Sequence, residues 1–96
     1  MSQYQEGFEV FTDIVKQLAI AEDAIDGRLT GIFHRYPELC QVALPEFLNH
    51  RLSQIEKSVD YPDYAAFIAE QDNTKLRKIA EQIFQAYYEF MQERLT

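Results

Sequence analysis

The sequence predicts an all-α fold, a bundle of four to five helices forming a single domain over residues 1–96. Three observations predict it. Apolar residues recur with alternating steps of three and four over the first 36 positions. Three glycines and three prolines in 96 residues are too few for a turn-rich β fold. Hydrophobic residues make up 47% of the chain and aromatics 14%, enough to build a core and too much for a disordered segment.

The first element carries the clearest period. Tyr4, Phe8, Phe11, Val15, Leu18, Glu22, Ile25, Leu29, Ile32 and Tyr36 follow one another in steps of four and three. In heptad terms Phe8, Val15, Glu22, Leu29 and Tyr36 stand at a, and the others at d. Gly27 and Gly31 fall on the outer face and leave no gap in the stripe. The expectation is one long helix over about residues 3–34 leading the bundle, with Gly27 as the point where it would kink. At 1.5 Å per residue it spans ~45–50 Å, against ~33 Å for the last helix. Its amino-terminal end would overhang, and a second copy would cover it. A homodimer is therefore expected, with Tyr4, Phe8, Phe11, Val15 and Glu22 as its seam. Glu22, the polar member of the stripe, fits a register-setting role.

Pro37 is expected to end this helix, because a proline pushes the preceding residue out of the α region. A short turn at 38–43 follows. Pro45 then opens a helix over about 45–58, whose Leu48, Leu52, Ile55 and Val59 share one face. Asp60-Tyr61-Pro62-Asp63 reads as a turn into a short helix over 62–70. Asp72-Asn73-Thr74 offers three caps for the last helix, about 74–95. That helix spreads its apolar residues over an arc of roughly 200°, wider than a one-sided surface helix needs, so it must be covered from two directions.

Nine basic and sixteen acidic residues leave a net charge of −7. The acids cluster. Residues 1–26 hold six acids and the single base Lys16, and residues 60–72 hold Asp60, Asp63, Glu70 and Asp72 with no base. Such a surface repels phosphate backbones and anionic lipid, so neither direct nucleic-acid nor membrane binding is expected, and its electrostatic complement is a basic protein. No apolar run approaches ~18 residues and the first ten residues carry no basic, apolar leader, so neither a membrane span nor a signal peptide is expected. One cysteine fits a reducing, cytoplasmic setting.

Catalytic patterns do not emerge. His34, Cys40 and His50 are separated by spacings that match no zinc motif. Glu46 and His50 lie four apart, whereas a di-iron bundle uses Glu-x-x-His pairs. Phosphate-cradling glycine loops are absent from the sequence. No enzyme, metal site or cofactor is expected. Lys75, Arg77 and Lys78 in the first turn of the last helix pair with nearby acids such as Glu81.

The leading reading is a non-enzymatic acidic helical interaction module, a small inhibitor, immunity or regulatory protein that masks a basic protein surface. Its contacts are expected from Asp60, Tyr61, Asp63, Tyr64 and Asp72 in the acidic segment, and from Tyr88 at the edge of the last helix's apolar arc. Tyrosine offers contact area and a hydrogen bond at low entropic cost. A second reading is a small-ligand or metal-binding bundle, with Glu22 and the histidines facing an interior site. A third is a DNA mimic, whose carboxylates would imitate phosphates.

Overall fold

The structure, a computed structural model, describes residues 4–20 and 24–95. Five helices follow one another: α1 (Gln5–Ile20), α2 (Ile25–Cys40), α3 (Glu46–Ser58), α4 (Tyr64–Glu70) and α5 (Asn73–Leu95). The described residues contain no strand. The all-α bundle is therefore as expected, and α3, α4 and α5 begin and end within two residues of their predicted positions.

The amino-terminal stretch is helical as predicted, but in two pieces. α1 stops at Ile20 and α2 starts at Ile25, upstream of Gly27, where the kink was expected. The two helices run antiparallel. The Arg28 guanidinium donates to the Leu18 carbonyl, while Arg35 reaches back to Asp13 at 2.9 Å and Gln17 at 3.0 Å. The hairpin turns the predicted stripe onto itself, so that Phe11, Val15 and Leu18 of α1 join Leu29, Ile32 and Tyr36 of α2 in one buried cluster. Apolar area leaves water without help from another chain, and this is the physical reason the rod divides. Four of the residues expected at a dimer seam take part in this chain's own packing. Phe11 and Val15 are core residues of their own chain, Tyr4 and Phe8 pack against that core, and Glu22 lies outside the described residues.

Close approach near the start of α1 depends on a glycine. Gly7 sits beneath the α2–α3 connection, where a Cβ would stand 2.5 Å from the Ala43 carbonyl oxygen and 2.7 Å from Leu44 Cδ2. Gly31, by contrast, faces open space.

The expected stop at Pro37 is also corrected, because α2 continues to Cys40 with Pro37 inside it. Proline removes one amide donor. Tyr36 and Leu39 on either side of it are buried, and their packing carries the helix through its last turn. The exit tightens, with Gln41 N–H donating to Glu38 O and Val42 N–H to Leu39 O, both at 3.4 Å. Pro45 then caps α3, its carbonyl accepting from Leu48 and Asn49 at 3.1 Å each.

α5 is the central strut. It packs against α1, α2 and α3, while α4 lies on α2. Its Leu76, Ile79, Ile83, Ala86 and Phe90 enter the core, covering the wide arc from several sides. One flank of that arc stays open, and it positions the candidate site.

Candidate docking surface

The acidic segment predicted as a contact region is built largely by backbone needs. Asp60 adopts a left-handed conformation, φ 57°, directly after α3. Its N–H donates to Lys57 O at 3.4 Å and that of Tyr61 to Glu56 O at 3.0 Å, closing a Schellman turn. Aspartate tolerates this conformation better than most side chains. Asp63 precedes α4 without a side-chain capping bond. Asp72 is the cap of α5: its carboxylate accepts from Lys75 N–H at 2.9 Å and its carbonyl from Leu76 N–H at 3.1 Å. Lys75, Arg77 and Lys78 are exposed at this end of α5.

Tyr61 and Tyr64 are half-buried, not presented. Their rings stack on each other at 5.8 Å and 12°. Tyr61 packs edge-on against Tyr36 at 4.9 Å, and Tyr64 meets Phe33 at 5.7 Å. The Tyr36 hydroxyl is pushed far above the usual tyrosine range, first by burial and then by its hydrogen bond to Glu56. Burial also raises Tyr61, and burial with Glu56 nearby raises the exposed Cys40 thiol, which makes it a poor nucleophile at neutral pH. A recess of about 390 Å³ opens beside the stack between Ser53, Glu56, Lys57, Asp60 and Tyr61.

Arg35 ties α2 to α1. Its pKa is raised chiefly by the bidentate bond to Glu38, with Asp13 adding to it and partial burial opposing, and the same bond lowers the Glu38 carboxyl. The Arg35–Asp13 pair bridges α2 to α1, whereas the Arg35–Glu38 pair lies within α2; both are largely exposed, so each adds little stability on its own.

Tyr88 lies elsewhere, on α5, and it is not alone. Phe84 is 38% exposed and Tyr88 51%, the large hydrophobic side chains left outside the core among the described residues. With partly buried Met91 they form one stripe at i, i+4 and i+7. A groove of about 580 Å³ runs along it, bounded by Glu81, Gln85 and Tyr87. Tyr87 leans onto α1, its ring stacked on Phe8 at 5.7 Å and edge-on to Phe11 at 5.5 Å, with its hydroxyl 2.8 Å from Thr12 Oγ1. On α1, beside the Phe8 and Thr12 that hold Tyr87, lies a smaller groove of about 280 Å³, walled by Glu9, Asp13 and Lys16. Tyr88 stands at the edge of the apolar arc, as expected from the sequence, and Phe84, which lies within that arc, is exposed beside it because the arc offers more surface than the neighbouring helices cover.

Among the described residues no cluster of three or more His, Cys, Asp or Glu side chains is placed to hold a metal ion. His34, Cys40 and His50 are all exposed. No described helix is long and apolar enough to cross a membrane. No protein-family model, curated protein or solved structure matches this chain.

Proposed function

We propose that this chain is a non-enzymatic acidic interaction module, a small inhibitor, immunity or regulatory protein that masks a basic surface on another protein. The observation that carries the reading is the uncovered Phe84–Tyr88–Met91 flank of α5. A chain that buries some twenty hydrophobic residues leaves two large aromatics in water side by side. Exposed aromatics beside polar rims are favoured anchors of protein interfaces. The net charge of −7 supports a basic partner, since opposite charge accelerates encounter and selects against acidic competitors. A cytoplasmic setting is part of the same proposal, resting on the single cysteine.

The test is a paired affinity purification from the source organism. Wild type and the Phe84→Asp/Tyr88→Asp double variant serve as baits at low and high salt. The expected result is a basic protein retained by wild type, released by salt and lost from the variant. Equal retention by both baits would refute the reading. So would a partner whose binding is indifferent to salt.

A further inference from the structure

We infer that the two grooves flanking Tyr87, one along α5 and one along α1, together seat a basic amphipathic helix of the partner protein. This rests on the interaction-module reading and specifies its contact.

Phe84, Tyr88 and Met91 occupy one stripe about 10 Å long, two helical turns, with its apolar groups pointing away from the core. α1 runs antiparallel beside it: Phe8 meets Phe90, and Phe11 and Thr12 meet Tyr87. A third helix can lie across two helices packed side by side by ridges-into-grooves packing, here over Tyr87 with one groove on either side. The floor between the grooves is already built. Tyr87 is held between Phe8 and Phe11 and bonded through its hydroxyl to Thr12, so little ordering remains to be done on binding. Recognition of this kind reads apolar anchors at i, i+3 or i+4, and i+7 on the incoming helix.

Charge at the groove rims selects the occupant. Glu9 and Asp13 stand along the α1 wall and Glu81 at one end of the α5 stripe; Lys16 is the one base among the described residues lining the two grooves. Asp13 is partly neutralised by Arg35 at 2.9 Å, while Glu9 accepts a hydrogen bond from Gln5 and keeps its charge available at the rim. A second copy of this chain carries the same net charge of −7 and would approach against like charge. A helix with lysines or arginines flanking an apolar stripe meets acid on the rim and aromatic surface on the floor.

The experiment uses the full chain and three synthetic, end-blocked peptides of about 16 residues. One carries a leucine stripe flanked by lysines. A second has the same composition scrambled to destroy the stripe, and a third has glutamates in place of the lysines. Binding is read by fluorescence anisotropy. The lysine amphipathic peptide is expected to bind saturably, about tenfold or more tighter than either control. Phe84→Ser/Tyr88→Ser is expected to weaken it at least about tenfold, with the helical circular dichroism spectrum and a cooperative melt retained, the midpoint falling modestly because Phe84 is 38% and Tyr88 51% exposed. Glu9→Gln/Glu81→Gln is expected to weaken it several-fold at low salt, a difference that fades as salt rises.

Failure to bind the lysine peptide, or equal binding of the scrambled one, overturns the inference. If the peptide still binds the Phe84/Tyr88 variant but not Asp60→Asn/Asp63→Asn, the basic-partner reading survives and the groove assignment falls. If no basic peptide binds and light scattering shows a dimer that Phe84→Ser/Tyr88→Ser splits, the occupant is a second copy and both fall.

Discussion

Two glycines in neighbouring helices respond to the same substitution with opposite signs. By intrinsic propensity, replacing a helical glycine with alanine stabilises by roughly 0.5–1 kcal/mol. Gly31 faces open space, so Gly31→Ala collects that gain in full and raises the melting temperature by about 3–6 °C. Gly7 is different. A methyl group there would stand 2.5 Å from the Ala43 carbonyl oxygen, and the obstacle is backbone, not the far end of a flexible side chain. Ordinary contact begins at 3.4 Å, so α1 and the connection over it must separate by close to 1 Å. Leu44 and Pro45 are both buried and resist that movement. Forced overpacking of this kind costs ~1–3 kcal/mol. After subtracting the propensity gain, Gly7→Ala is expected to lose about 1–2 kcal/mol and roughly 5–15 °C. Urea unfolding followed by circular dichroism checks it, with m unchanged between the variants. A Gly7→Ala protein as stable as wild type would refute the packing of α1 beneath the α2–α3 connection. The register that places Phe8 and Thr12 on Tyr87 would then be in doubt, and the groove with it.

Other perturbations separate structural from contact roles. Asp72→Ala is expected to cost about 1 kcal/mol, measured by chemical denaturation, because α5 loses its cap, while Asp72→Asn stays close to wild type. Asp60→Gly relieves the left-handed strain and is expected to stabilise by less than about 1 kcal/mol in the same assay. Tyr36→Phe removes the hydroxyl that bonds Glu56 and is expected to cost about 1 kcal/mol at neutral pH. It also changes the alkaline limb. The folded pKa lies above the ordinary value of 10.0, so the unfolded chain loses this proton first. Stability from this group is complete below pH 10.0 and is lost as pH rises toward the folded value. A pH series of melting curves is expected to show a shallower alkaline decline in Tyr36→Phe than in wild type; identical declines would refute the burial of that hydroxyl.

Legibility follows the range of the interaction. The helices α3, α4 and α5 begin and end near their predicted positions because Pro45, the Asp60 turn and the Asp72 cap act through bonds a few residues long. The apolar stripe of residues 4–36 was equally plain, yet it names the side to be buried and not the surface that buries it. A continuous rod and an antiparallel hairpin present the same alternation of three and four. Likewise Tyr61, Tyr64 and Tyr88 look alike in sequence, and only their neighbours separate two stacked rings from one left in water.

Composition and periodicity by themselves determined the helical class, the acidity and the placement of most helix boundaries, since these depend on residue identity and short-range backbone geometry. Tertiary structure alone decided that α1 folds back on α2, that Pro37 is carried inside a helix, and that Phe84 and Tyr88 remain uncovered. Each of those outcomes is a competition among distant surfaces for a limited apolar interior, and no local pattern records which surface wins.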